Sequence, residues 1–280
     1  MSTERAWDRD EVEEERMASD RIELGSMLFT LVDPHRGHEV AYNRWYERDH
    51  FYAGCMIGPW LLAGRRWVAT REQKALRFPT ESPVAEPTEA GSYLSIYWIL
   101  AGHHDAHFDW ANEQVHRLYE AGRGFAERDH VHTVLYDHTG TTYRDADPVP
   151  IELALDHPYR GLVTVFLDRN EAASRDDLDT WLAPRVGRLL ADGPIACCAT
   201  WRPIPREGVT ANTPMDLGSP PGGPERSLQM FFVESDPRQV WDRVVAYGDE
   251  IKASGLARVA LAAPLIPTIP GTDRYADELW

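Results

Sequence analysis

The sequence predicts an α+β fold built from two tandem β-α-β-β-α-β units, and three observations carry that expectation. Apolar strand-like runs and amphipathic helix-like runs follow one order in residues 25–145 and repeat it in residues 146–280. Five landmarks recur in sequence at an offset of 131 to 136 residues: Trp45 with Trp181, Gly58-Pro59 with Gly193-Pro194, Trp67 with Trp201, Trp110 with Trp241, and Gly140 with Gly271. The first and third strands are apolar on both alternating faces: Met27, Phe29 and Leu31 against Leu28 and Val32, then Leu94, Ile96 and Trp98 against Tyr93, Tyr97 and Ile99. Both faces of such a sheet need cover. The simplest cover packs the two sheets together, with four helices outside.

Residues 1–24 are crowded with Glu and Asp among basic residues and read as a charged N-terminal tail. Met27–Val32 is a buried strand, ended by Pro34 and Gly37. Glu39 to Met56 is helical, stopped by Gly58-Pro59, and a second strand spans about 61–70. Phe78 to Gly91, with Pro79, Pro83 and Pro87, reads as an exposed loop outside the core. A strand at 93–100, a helix at 105–125 and a strand at 131–136 complete the first unit, and an Asp- and Pro-rich linker covers 144–159. The second unit repeats the order with strands at 162–167, 195–201, 228–233 and 256–265, and helices at 175–191 and 237–254. This β-α-β-β-α-β order is the ferredoxin-like, split-βαβ plan.

Composition narrows the function. With 29 Lys plus Arg against 45 Asp plus Glu, the chain carries a formal charge of −16, which repels nucleic-acid phosphates, and no local basic patch offsets it. No nucleic-acid partner is expected. No apolar run approaches the roughly 20 residues needed to span a bilayer, and no apolar segment of a signal peptide follows the charged N-terminus. The three cysteines, Cys55, Cys197 and Cys198, form no disulfide framework, which points to a reducing cytoplasm. Cys197 and Cys198 read as buried packing, while Cys55 follows the first helix. There is no P-loop, dinucleotide fingerprint or nucleophile elbow.

Tyr42-Asn43-Arg44-Trp45-Tyr46-Glu47-Arg48-Asp49-His50, followed by Gly58 and then Arg65-Arg66-Trp67, resembles the EthD-like branch of the dimeric α+β barrel superfamily. In that branch a W-Y-x-x-x-H helix precedes an apolar, Gly-containing turn and an Arg-rich strand. The resemblance implies that two ferredoxin-like units pair into a barrel, here within one chain as a tandem duplication, with a pocket between sheet and helices. It implies small hydrophobic substrates, often polycyclic or carbonyl-bearing, and members that act as cofactor-free oxygenases, lyases, dehydratases or isomerases. In the second half the residue five after Trp181 is Val186, so the motif is degenerate there and the site falls to the first half.

On an α-helix Tyr42, Tyr46, Asp49 and His50 share one stripe. A histidine beside a carboxylate and a phenol could abstract a proton next to a carbonyl; the plainer role is a core-edge histidine among packing tyrosines. Gly102-His103-His104-Asp105-Ala106-His107 is the second cluster. His103 and His107 could share a metal with Asp105, although Asp105 is also explained as a helix N-cap. The expected topology gathers His50, this cluster, Asp137 and His138 at one edge, and places His130 and His132 together on one face at the opposite edge. Among the aromatics Trp98, beside Tyr97, is the preferred pocket wall. One of the histidines could also serve as an axial haem ligand, but no haem signature accompanies them.

The leading expectation is a cofactor-independent lyase, dehydratase or isomerase acting on a hydrophobic carbonyl or polyketide-like molecule. His50 is its general acid/base, supported by Asp49 and Tyr46, with Tyr42, Trp98, Tyr97 and His104 near the substrate. The alternatives are a cofactor-free monooxygenase, a non-catalytic carrier of hydrophobic metabolites, and a tandem domain used for assembly. The expected partner is a hydrophobic small molecule, with the chain a monomer or homodimer.

Overall fold

Eight runs rich in β-branched and aromatic residues form strands in the computed structural model, which describes residues 22–191, 193–206 and 213–280. The charged tail expected over residues 1–24 lies almost wholly outside the described residues. The strands are β1 (Leu24–Pro34), β2 (Leu61–Val68), β3 (Tyr93–Leu100), β4 (Arg128–Tyr143), β5 (Gly161–Arg169), β6 (Ile195–Pro203), β7 (Arg226–Val233) and β8 (Ala257–Pro267). They close into one antiparallel barrel in the order β1-β3-β2-β8-β5-β7-β6-β4. The first four strands are contiguous in the barrel, as are the last four. Their seams differ: β4 and β6 pair across seven positions, whereas β2 and β8 share only Trp67↔Pro267 and Val68↔Ile266. Closure pairs every strand on both sides, β2 and β8 over those two positions alone.

The two-faced apolar pattern of the strands explains the layers. Met27, Phe29, Leu31, Trp67, Leu94, Ile96, Trp98, Phe166, Trp201, Met230 and Phe232 point inward and fill the barrel. The alternate residues point outward and are covered by helices. Helix α1 (Glu39–Trp45) continues through two π-helical turns, Tyr46–His50 and Tyr52–Met56. A short α2 (Arg71–Lys74) follows β2, and α3 (His104–Glu120) follows β3. In the second half α4 (Arg175–Leu190) starts at a Ser174–Asp177 capping box. Helix α5 (Trp241–Ser254) ends at Gly255, whose φ of +70° suits a residue without Cβ. The α1 and α3 segments cover the first four strands, and α4 and α5 cover the last four.

Two expectations need correction. The Pro-rich loop 78–91 is not outside the core: Val84 and Ala85 are buried against the barrel interior, and Ser219 Oγ donates to Val84 O at 2.7 Å. A barrel closed at its sides is still open at its ends, and this loop tip covers apolar interior that water would otherwise reach. Of the landmarks, Trp67 on β2 and Trp201 on β6 both face the barrel interior. Gly140 and Gly271 are not equivalent, because Gly140 lies inside β4 at a register shift and Gly271 lies beyond β8.

One buried charge network stands in the interior. Asp168 on β5 accepts from Arg226 Nε at 2.7 Å and Arg226 Nη2 at 2.9 Å, with Arg258 Nη2 at 3.1 Å. Asp168 and Arg226 are both about 95% buried, at 5% and 4% exposure. Asp168→Asn would leave the Arg226 guanidinium buried without a counter-charge, so a loss of about 3–5 kcal/mol is expected. The check is urea unfolding, with a lower midpoint at unchanged slope; an unmoved midpoint would show that the pair is dispensable.

Candidate active site

Between the outer face of the first-half strands and the α1 and α3 segments lies a cavity of about 140 Å³. Leu28, Phe108, Ala111, Val115, Leu135 and Met215 form its apolar walls; Thr30, His50, Arg128, His130, Thr133 and Arg206 supply its polar groups. Tyr46, Tyr97, Gly54 and Cys55 complete the α1 side.

The π-helical turns place His50. Widening the turn, with Phe51 N–H bonded to Tyr46 O and Ile57 N–H to Tyr52 O, lengthens the local repeat beyond 3.6 residues. The expected stripe therefore keeps Tyr42, Tyr46 and His50 but loses Asp49, which turns outward to bond Arg123. His50 stacks on Trp45 at 4.5 Å between ring centroids and meets the Tyr46 ring edge-on at 5.3 Å. Gly54 makes room for it: a Cβ there would come within 3.0 Å of the imidazole. Tyr46 and Tyr97 share a hydroxyl–hydroxyl bond of 2.9 Å beside the cavity. Burial pushes the Cys55 thiol up to about 12, so it is no nucleophile.

The remaining expected site residues lie elsewhere. Tyr42 is fully buried among Trp45, Tyr46, Tyr93 and Phe125. Trp98 cannot line this cavity, because strand alternation turns it inward, toward Trp201 and Phe232. His104 bonds Ser26 Oγ at 2.8 Å, His107 bonds Pro59 O at 2.7 Å, and His103 stacks on Trp60. Each of these imidazoles is thus engaged separately, and no group of three metal-ligating side chains occurs among the described residues. Asp137 and His138 do not join His50. His138 instead bonds Thr141 Oγ1 and packs against Trp201.

Sequence reasoning missed the other side of the cavity. His130 and His132 should share a face by simple alternation, but β4 carries an extra residue opposite Leu31 and Val32. The bulge divides the pair: His132 turns into the barrel, bonded to Tyr136 Oη and Ser219 Oγ, while His130 joins Arg128 at the cavity. The segment around Gly218 is what β4 pairs with there, through Thr133 N to Leu217 O and Ser219 N to Val131 O. The readable signal was Arg128, His130 and His132 alternating along a strand otherwise expected to be buried. Arg206 left no comparable signal.

Hydrogen bonds fix the state of His130. Arg128 Nε donates to His130 Nε2 at 3.2 Å, so the ring proton belongs on Nδ1, which bonds Thr133 Oγ1 at 2.7 Å. Thr133 Oγ1 in turn meets Thr30 Oγ1 at 2.8 Å. His50 has no hydrogen-bond partner among the described residues, so its ring nitrogens remain available to a ligand. Burial, reinforced by the positive charge of Arg128, pushes both His50 and His130 down to about 3. His132 is pushed down to about 3 by burial and by Arg226.

No protein-family model matches the sequence, and no curated protein is significantly similar to it. Solved structures do share the fold. An anthrone oxidase-like protein is similar at 9% identity over 90% of this chain and 95% of its own, with a TM-score of 0.53. A provisionally assigned chlorite dismutase is similar at 12% identity over 92% of this chain and all of its own, with a TM-score of 0.51. At such identities the likeness is one of fold, a mixed α+β architecture around a closed eight-stranded antiparallel barrel. The cavity is smaller than the roughly 300–1,000 Å³ of sites for drug-sized ligands. The corresponding face under α4 and α5 is filled by Leu178, Leu182, Val186, Trp241, Val244 and Ile251.

The depressed histidines make stability acid-sensitive. Above about 6.5 both folded and unfolded chains hold these rings neutral. Between there and about 3 only the unfolded chain takes up their protons, so stability falls as pH drops, by about 1.4 kcal/mol per pH unit for each ring. The urea midpoint should therefore decline from pH 7 to pH 5, and a flat profile would contradict the burial of these rings.

Proposed function

We propose that the chain is a cofactor-independent enzyme of lyase, dehydratase or isomerase type, acting on a hydrophobic, carbonyl-bearing small molecule with His50 as general acid/base. The observation that carries this reading is an unpartnered, uncharged imidazole at the wall of an apolar cavity. A neutral ring has a lone pair free to take a C–H proton next to a carbonyl. In isolation its depressed basicity disfavours that step. The enolate formed beside the imidazolium compensates, because two opposite charges in a dry cavity stabilise each other far more than in water. Tyr46 and Tyr97 form a hydroxyl-bearing wall on the α1 side, and Asp49, tied to Arg123, acts only at a distance.

The same reading takes residues 25–145 and 146–280 as tandem ferredoxin-like units that pair within the chain. In it the second unit has lost its site, since Val186 belongs to the apolar layer under α4. A cofactor-free monooxygenase is the second reading. It begins with the same proton transfer, followed by reaction of the carbanion with O₂, and the fold shared with an anthrone oxidase-like protein supports it.

The test is exchange of acidic C–H protons of aryl ketones in D₂O, followed by NMR, with oxygen uptake recorded in parallel. Wild-type protein should catalyse exchange, and His50→Gln should slow it by about 10²–10⁴-fold with the urea midpoint held. Exchange unaffected by His50→Gln would remove His50 from the chemistry. Oxygen consumption would favour the monooxygenase reading, and binding without exchange would favour a carrier of hydrophobic metabolites.

A further inference from the structure

The charge of the cavity is opposite to that of the chain. On a protein with a formal charge of −16, the cavity carries two guanidinium groups, and neither meets a carboxylate within ion-pair distance among the described residues. Arg128 is 8% exposed. Its Nη1 donates to Phe125 O, its Nη2 to Tyr119 Oη and its Nε to His130, and its guanidinium lies over the Trp45 ring at 4.6 Å. Arg206 gives its terminal nitrogens to four backbone carbonyls, those of Thr133, Leu217, Gly218 and Ser219, while its buried Nε meets no partner among the described residues. The acidic groups acting on this region are remote: Asp49 on the α1 segment is bonded to Arg123, and Asp216 acts on Arg206 from beyond bonding range. Both cations repel a proton from His130, which places that ring under the influence of each.

Two cations that meet no carboxylate among the described residues, at the wall of a largely apolar chamber, are costly unless a ligand supplies negative charge. Size limits that ligand. An apolar cavity of about 150 Å³ is known to accommodate benzene, and this one measures about 140 Å³, so it has room for one aromatic ring.

We propose that the cavity binds an aromatic anion, one ring in the apolar chamber with a phenolate, enolate or carboxylate oxygen held against Arg128 and Arg206. This rests on the functional reading above and narrows its substrate class, from hydrophobic carbonyl compounds in general to those that enter as an oxyanion or become one. The cations offer that oxyanion the same stabilisation in the complex that an enolate formed at His50 would need.

The probe is 4-nitrophenol, whose ionisation is visible in its absorption. Titrated against the full-length protein, the bound probe should ionise at lower pH than the free one, and every tenfold preference of the cavity for phenolate over phenol lowers its midpoint by about one pH unit. A midpoint at least one pH unit below that of the free probe is expected. Benzoate should displace the bound phenolate at concentrations where benzyl alcohol does not, because both carry one ring and benzoate alone carries an oxyanion. Arg128→Gln and Arg206→Gln should each bring the midpoint back toward the free value. The wild-type titration decides even where an arginine variant fails to fold. Binding with ionisation at or above the free value would overturn the anion inference while leaving the apolar cavity and His50 open to the exchange test. No binding of either aromatic probe would overturn both the inference and the reading of the cavity as a ligand site.

Discussion

The architecture depends on strands that are apolar on both faces. A sheet of such strands cannot leave either face to water, and one layer of helices covers only one. Closure of eight strands into a barrel removes the second face altogether, by turning Met27, Phe29, Leu31, Leu94, Ile96 and Trp98 against residues such as Phe166, Trp201 and Phe232 from the other half. Any site for a small molecule is thereby moved outside the barrel, under the helices. In the second half that layer is solid, with Leu178, Leu182, Val186, Trp241, Val244 and Ile251 interlocked. In the first half that layer holds the cavity, and the α1 segment beside it runs through π-helical turns in which Gly54 makes room for His50.

Within that hollow, charge is arranged by what is missing. Arg128 brings a full positive charge under the helices and is satisfied by carbonyl, hydroxyl, imidazole and indole, none of which cancels it. The neighbouring imidazoles respond by staying neutral. His130 is committed, its acceptor nitrogen to Arg128 and its N–H to Thr133, and so is a positioning group. Among the described residues nothing bonds either ring nitrogen of His50, while Trp45 holds its plane, and the proposed proton transfer would use this pairing of fixed orientation with open hydrogen-bonding capacity.

Much of this was legible in the sequence because hydrophobic period is a local signal. Tyr93 to Leu100 reads as a strand and is one, and the alternation of its apolar residues already separates barrel-facing from helix-facing positions. The motif singled out His50, which stands at the cavity wall. What the sequence hides is whatever depends on one extra residue or on a distant partner. Widening of the α1 turns moves Asp49 away from His50, and the β4 bulge near Val131 sends His130 and His132 to opposite faces. Neither leaves a mark on composition. The loop tip at Val84 and Ala85 looked exposed because its prolines and charges dominate its composition, while two small apolar residues do the burying. Arg206 is held at the cavity by backbone carbonyls of Thr133 on β4 and of a segment about ten residues further on, relations no local pattern records.

The most direct measurement on this site is long-range ¹H–¹⁵N NMR of the histidine rings in ¹⁵N-labelled protein, followed from pH 7.5 toward the onset of acid unfolding. Neutral rings for His50 and His130 throughout, with the His130 proton on Nδ1, are the expected result. A His50 that titrates near its ordinary value of about 6.5 would mean an imidazole open to water, and would contradict a cation-flanked cavity built around a neutral base.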